Sequence, residues 1–424
     1  MRNARPVCAA LCFGLALGLT ACSYGSTSDG PAQITVWDVY GASSPLDKVV
    51  PEFEQQHPNI DVELVKLPFD NLYDKLAVGA TGGTLPDVAT VGLLWAPQYT
   101  QLGIYADLSP YAEGEINGEP LEDVYPPGMI EGAIVDGSLY GIPYDFDAYS
   151  LYYREDMLAE AGIDEPPQTW EELVTKGKEL TKDTNGDGKV DQYAFMSQLN
   201  WEHWEPFLRA NGGDFLSEDN TQATFNSPEA VESLQFFSDL FNRHEIALAW
   251  TEGMGDPTKG IKAEDFAMFM NGPFMMGQMR ESVPEQEGAW RVSSPLKHKT
   301  LGTHIGGTYL SAFATSDYEE EAWKFIEFAS RKENAAIVAE EAAPAYLPAA
   351  EESSQEPDEY FGGTQPMQTF LDISKTGDPN PTVEKWQQIA DILDDAVEEA
   401  VVTNNPPKPI LDEAASEVDQ LLSK

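Results

Sequence analysis

Cysteine is almost absent from this chain, and its placement matters more than its number. The 424 residues contain three, Cys8, Cys12 and Cys22, all within the first 22 positions. Everything after them therefore lacks a disulfide and has no thiol to act as nucleophile or metal ligand. Basic residues are also scarce. There are 25 Lys and Arg against 72 Asp and Glu, for a formal charge of −47. Such a surface repels nucleic acid and anionic lipid, which removes both as partners. The five histidines (His57, His203, His244, His298, His304) show no H-E-x-x-H spacing, and there is no G-x-S-x-G elbow and no phosphate-cradling glycine loop.

What is present begins with a leader. Arg2 and Arg5 precede an apolar run from Val7 to Ala21, too short to stay in a bilayer as a spanning helix but suited to the apolar centre of a signal peptide. Residues 1–21 are thus read as a signal peptide. The run ends Leu19-Thr-Ala-Cys22, which resembles a bacterial lipobox, and that resemblance implies lipidation of Cys22. An ordinary secretory signal with an incidental cysteine is the alternative. Residues 22–32, rich in Ser, Gly and Thr, read as a tether. Removing residues 1–21 takes away two arginines and no acid, so −47 becomes −49.

The remaining length is enough for two cores. Strands are expected at 34–37, 60–67 and 85–91, separated by helices that carry Leu46, Val49, Val50 and Phe53, then residues 71–79, then 96–102. This alternation predicts an α/β sheet, largely parallel, whose ligands gather at the carboxyl ends of the strands. Trp37, Asp38 and Trp95 fall on that rim. Passages between two lobes are expected at 140–149, 306–309 and 343–348. The lobes are then residues 33–143 with 310–345, and 144–309 with 346–424. Further helices are expected near 204–211, 228–242, 319–331, 366–375, 382–401 and 408–423. Three passages would share the bending of a hinge.

The most distinctive stretch is 151–193, LYYREDMLAEAGIDEPPQTWEELVTKGKELTKDTNGDGKVDQY. A strand leads into a short helix stopped by Gly162, an extended Pro166-Pro167 connector follows, and Thr169 with Glu172 forms a capping box for the next helix. An oxygen-rich turn closes the stretch. Further landmarks are Pro86-Asp87, Tyr140-Gly-Ile-Pro143, Met270-Asn-Gly-Pro273 and Gly306-Gly-Thr-Tyr309. Together, from about Ile34 to the C-terminus, these resemble the extracellular solute-binding proteins of carbohydrate ABC importers, the group that includes maltose-binding protein. The resemblance implies a two-lobed periplasmic-binding-protein-like fold with an interlobe cleft and a three-segment hinge. It further implies a sugar or oligosaccharide ligand, an ABC permease as partner, attachment to the membrane by lipid on its outer face, and a monomer.

Sugar sites pair flat aromatic surfaces with a few orienting polar groups. Trp37, Trp95, Trp201 and Trp204 stand at positions that suit a cleft wall. Trp250, Phe274 and Trp386 resemble cleft aromatics of the maltose-binding relatives in placement, and Gly307, Tyr309 and Tyr346 lie beside passages. Trp170 and Trp323 read as core. Asp145 and Asp147, two apart in an extended stretch, can face one side. Asp147 also matches an acidic sugar contact of the maltose-binding type, whereas Asp145 reads equally as a hinge carboxylate. Asp38 reads either as a rim ligand or as a helix cap.

Asp183, Asn185, Asp187, Lys189 (through its carbonyl) and Asp191 fill positions 1, 3, 5, 7 and 9 of a calcium-loop pattern with Gly188 at position 6, but Ala194 stands where the bidentate glutamate belongs. A structural calcium is expected there. The same run also reads as a metal-free Asx/Gly turn. No catalytic constellation stands out. A secreted, lipid-anchored glycoside hydrolase, which needs only two carboxylates about 5–10 Å apart, is the chief rival reading, and a receptor of the same fold for a non-sugar solute is another.

Overall fold

The computed structural model describes residues 30–250, 257–376, 380–381 and 383–423. The expected signal peptide, Cys22 and the tether up to residue 29 lie outside the described residues.

Strand β1 (Ala32–Asp38) ends in three consecutive buried residues, Val36, Trp37 and Asp38, as a strand covered on both faces requires. It pairs in parallel with β2 (Ile60–Lys66) and β3 (Val88–Gly92). Two short hairpins follow, β4 (Glu115–Ile116) with β5 (Glu119–Pro120), and β6 (Ile134–Val135) with β7 (Ser138–Leu139). The next strands are β8 (Ile142–Ala148), β9 (Ser150–Arg154), β10 (Tyr193–Gln198), β11 (Ala247–Trp250), β12 (Phe266–Asn271), β13 (Trp290–Ser293) and β14 (Ile305–Ala312). They form two five-stranded sheets, ordered β2-β1-β3-β14-β8 and β11-β10-β12-β9-β13. The fold is therefore α/β with two sheet-containing lobes.

Neither sheet is wholly parallel. Strand β14 runs antiparallel to β3 and β8, and β9 runs antiparallel to β12 and β13. These are strands beside which the chain changes sheet, so helical crossovers do not set their direction. The expected lobe limits at 143/144 and 309/310 fall inside β8 and β14. Both strands continue past those points, with Asp145 paired to Thr308 and Asp147 to Gly306. The chain leaves the first sheet at Tyr149 and returns between Ser293 and Ile305. Residues 343–345 lie along the edge of β8, where Phe146 donates to the Ala343 carbonyl at 2.9 Å and Ala345 donates to that of Tyr144 at 3.1 Å.

Residues 346–376 were expected in the second lobe and instead bridge the two. Tyr346, Ala349, Phe361, Met367 and Phe370 belong to the core of the first lobe, which continues onto one face of the second sheet through Tyr152, Phe269 and Trp290. Helix Pro366–Ser374 packs on β8 as well as on β9 and β13. A separate core on the other face of the second sheet holds Leu151, Phe195, Trp204, Phe207, Phe215 and Leu393.

The lobes touch across the cleft. Helix Trp386–Thr403, near the end of the chain, packs against the turn Leu93–Trp95 that follows β3, and Leu94 contacts both cores. Helix Met275–Ser282 packs against the turn Gly41–Ser43 that follows β1.

Candidate functional site

The strand ends that face each other across the lobes carry the acidic and aromatic side chains. Asp145 and Asp147 project from one face of β8. The hydroxyls of Tyr40 and Thr308 both donate to Asp145 Oδ2. Asp147 accepts no hydrogen bond from any described residue, although it is partly buried. Burial first holds both carboxyls above the usual range. The charge of Asp145 adds to the effect at Asp147, and the two hydroxyl donors oppose it at Asp145.

From the second lobe, β12 ends in Asn271 and opens into Gly272, Pro273 and Phe274. A Cβ on Gly272 would stand 2.7 Å from Asp147 Oδ1 and 2.7 Å from Phe274 Cε1. The first-lobe carboxylate and the second-lobe ring therefore meet over a bare backbone. Tyr152 fixes that backbone from below by donating its hydroxyl to the Gly272 carbonyl at 2.8 Å.

A second group lies beside the passage at Tyr149. The Tyr149 ring packs tilted against His304, with centroids 4.7 Å apart, and its hydroxyl donates to Glu202 at 3.4 Å. His304 Nδ1 is 2.7 Å from Glu205 Oε2. Burial opposes protonation of His304, but the Glu205 contact outweighs it and raises the imidazole above its ordinary value. His203, buried with no such partner, is pushed down to about 3 by burial and then by the His304 charge. Trp201 packs edge-on against His304, with its backbone N–H donating to Asp394 at 2.7 Å. Burial lifts the Asp394 carboxyl to about 8.

Of the residues singled out from sequence, Asp145, Asp147, Trp201 and Phe274 come together at this junction. Trp95 lies on the turn that meets helix Trp386–Thr403, packed at a tilt against Phe69 and Tyr73 with centroids 4.5 and 5.2 Å away. Asp38 is wholly buried at the end of β1, with Thr90 donating to Oδ1 at 3.0 Å and Oδ2 without a partner among the described residues.

The others serve the cores. Trp204 is fully buried, donates its indole N–H to Ser233 at 3.0 Å and packs on Phe215, because it shares the inner helix face with Trp201 and Leu208. Trp386 is buried against Trp201 and Phe215. Trp37 is buried with the Lys75 ammonium 3.9 Å above its ring, and Trp250 packs on Phe266 and over Gly260. Tyr309 points into the first lobe and donates to the Met129 carbonyl at 2.7 Å. Tyr346 donates to Glu119 and packs on Tyr125. Gly307, at φ +141°, has no room for a side chain, since a Cβ would sit 2.4 Å from the Asp145 carbonyl oxygen. Sequence reasoning missed Tyr149, Glu202, Glu205, His304 and Asp394. For Glu202 the signal was available, because it sits between Trp201 and Trp204.

In the oxygen-rich turn, Asp183 accepts from the N–H groups of Gly186, Asp187 and Gly188, Asp187 from that of Lys189, and Asp191 from those of Thr184 and Asn185. Among the described residues no three acidic or imidazole groups converge as a metal cluster. An exposed groove of about 670 Å³, lined by Met276, Lys332, Ala336, Glu352, Glu356 and Met367 among others, lies outside the junction.

The bacterial extracellular solute-binding protein family matches residues 39–336. An arabinooligosaccharide-binding protein of Halalkalibacterium halodurans is 28% identical over 73% of this chain and 70% of its own length. A lactose-binding protein of Rhizobium radiobacter is 25% identical over 87% of this chain and 86% of its own. The ABC-transporter solute-binding protein of Thermotoga lettingae, solved with α-D-tagatose, superposes with a TM-score of 0.82 over 92% of this chain and all of that one, at 23% identity. A family match over most of the chain and a two-lobed fold with facing carboxylate and aromatic groups lead to one conclusion: the chain belongs to the bacterial extracellular solute-binding proteins.

Proposed function

We propose that the protein captures a sugar or short oligosaccharide outside the cytoplasmic membrane and delivers it to an ABC permease by closing its lobes. The observation that carries this reading is the meeting of Asp147 and Phe274, from opposite lobes, over Gly272. A carboxylate that accepts two hydroxyl hydrogen bonds beside an apolar ring suits the alternating faces of a sugar. Ligand contacts available only when both residues are near shift the population toward the closed form, and the permease engages that form. The mechanism is closure without bond chemistry, so the protein is a receptor and not an enzyme.

Lipidation at Cys22 would keep the receptor beside its permease and raise the effective concentration. Calcium would have a structural part only, held by Asp183, Asn185, Asp187, Asp191 and the Lys189 carbonyl.

The test is a thermal-shift screen of the purified protein against mono- and oligosaccharides. A binder at about 100 times its Kd adds about 2.7 kcal/mol and raises Tm. Sugar recovered intact supports the receptor. Sugar consumed supports a glycoside hydrolase, and no shift across the panel moves the ligand outside the sugars.

A further inference from the structure

The exposed groove of about 670 Å³ takes no part in the junction, and its walls come from both lobes. Lys332, Glu333, Ala336, Ala339 and Glu340 recur at helical spacing on one face of helix Lys332–Glu341. The other face of that helix buries Asn334, Ala335 and Val338. Helix Leu347–Ser353 packs beside it and adds Ala349 and Glu352 to the groove. Met276 arrives from helix Met275–Ser282, which follows β12 of the second sheet. This second-lobe helix lies close against the first lobe. A Cβ on Gly277 would stand 3.0 Å from Glu341 Cα, and Arg280 donates to the Glu340 carbonyl and pairs with Asp358.

The floor of the groove is apolar and its rim is acidic. Met276, Ala349 and Met367 are all buried beneath it. A thioether chain adapts its shape to whatever is laid on it. Six of the fifteen lining residues are Asp or Glu and one is basic, more than twice the acidic share of the chain as a whole, 72 in 424. The cations nearby are already engaged: Lys332 with Glu352 at 2.9 Å, Lys48 with Glu340 at 2.5 Å, and Arg280 with Asp358. Glu333, Glu356 and Glu359 are exposed and pair with no cation among the described residues.

An apolar floor under an unpaired acidic rim complements an amphipathic helix with a basic face. Its apolar side chains would enter over Met276, Ala336 and Met367, while its lysines or arginines reach the three free carboxylates. Alanines at 336 and 339 let a second helix approach where larger side chains would hold it off. The volume is that of a ligand cleft, about 300–1,000 Å³, so it takes the anchoring side chains of a short segment and not a folded domain. A second copy of this chain, at −47, brings like charge to the rim and is repelled.

We propose that this groove is a docking site for a basic amphipathic helix of a partner protein. Met276 belongs to one lobe and Ala336 to the other, so the docked helix would lie across both.

The experiment is fluorescence anisotropy of the purified protein with a labelled peptide of about fifteen residues, long enough to form a helix, that carries leucine and lysine at helical spacing. A scrambled peptide of the same composition controls for attraction to the acidic surface as a whole. The expected result at physiological salt is one saturable site, bound at least tenfold tighter than the scrambled peptide. Ala336→Trp, which fills the groove from an exposed position, should weaken binding at least tenfold. Glu356→Lys with Glu359→Lys should weaken it as much. Glu398→Lys with Glu399→Lys, on the exposed face of helix Trp386–Thr403, makes the same change in net charge and should weaken it far less. Circular dichroism checks the fold of each variant, and the two lysine pairs decide the matter should Ala336→Trp misfold. No binding, equal binding of the scrambled peptide, equal losses at the two lysine pairs, or full binding by a folded Ala336→Trp each overturns the docking site. The receptor reading stands or falls separately, on the sugar screen.

Discussion

His304 Nδ1 lies 2.7 Å from Glu205 Oε2, and both side chains are buried, 6% and 0% exposed. This contact ties the segment that returns to the first lobe to helix Trp201–Ala210 of the second. Arg209 and Asn380 also donate to Glu205, at 3.1 and 3.0 Å. Removing the carboxylate takes the shared acceptor from His304, Arg209 and Asn380, of which Arg209 keeps Asp214. Glu205→Ala should therefore cost about 3–5 kcal/mol in urea denaturation. Arg243→Ala, at an exposed pair with Asp239, should cost under about 1 kcal/mol. Equal losses at both sites would contradict the buried network.

Stability should fall as pH rises from about 6 to 9. Asp394 is raised to about 8, so the folded state holds a proton that the unfolded chain has already lost, and stability declines as pH climbs through that value. His304 is raised as well, so its contribution is complete below its ordinary value and is lost on the same upward path. Asp394→Asn should flatten the decline in Tm across this range. An unchanged slope in that variant would rule out Asp394 as a source.

Gly307→Ala should destabilise by about 1–3 kcal/mol, since it places a Cβ 2.4 Å from a carbonyl oxygen in a backbone region that glycine alone adopts freely. A thermal melt followed by circular dichroism measures it. A neutral effect would mean that β8 and β14 can separate locally at no cost.

Phe274→Ala should weaken binding of whichever sugar the screen identifies about 10- to 100-fold, the usual cost of losing an aromatic anchor. Trp204→Phe should lower Tm and leave affinity unchanged, because its indole N–H serves Ser233. If affinity followed Trp204 and not Phe274, the cleft wall would lie elsewhere.

Calcium added to chelated protein should raise Tm, and Asp183→Asn should abolish the rise. The carboxylates of this exposed turn now accept backbone N–H groups, so identical melts with calcium and with chelator would define a plain Asx turn.

Local signals were legible wherever one element decides its own form. Thr169 caps its helix, accepting from Glu172 N–H at 3.2 Å, while Glu172 reaches back to the N–H of Gln168 at 3.0 Å, one residue before the expected cap. The helix expected at 228–242 spans Pro228–Asn242, with Ser227 as its cap. Strands β1 and β2 fall within three residues of their expected limits. The site was less legible because hydrophobic pattern does not separate a ring on a cleft wall from one in a core. Trp201 and Trp204 are three apart on one helix face, and only packing distinguishes the Trp201 edge on His304 from the Trp204 ring inside the lobe. Asp147 was found and His304 was not. Asp147 belongs to a recognisable motif, whereas His304 acquires its neighbours from a distant helix.

The position of β14 in the first sheet bears on the order in which the chain can fold. Among the described residues β14 joins β3 to β8, yet it begins at Ile305, after every strand of the second sheet. The first lobe therefore cannot complete its sheet until about three-quarters of the chain is available, and residues 343–345 must arrive later still to cover the edge of β8. Such non-local pairing forms slowly. A chain with this topology keeps its first sheet open at β14 until the strands of the second sheet have been made.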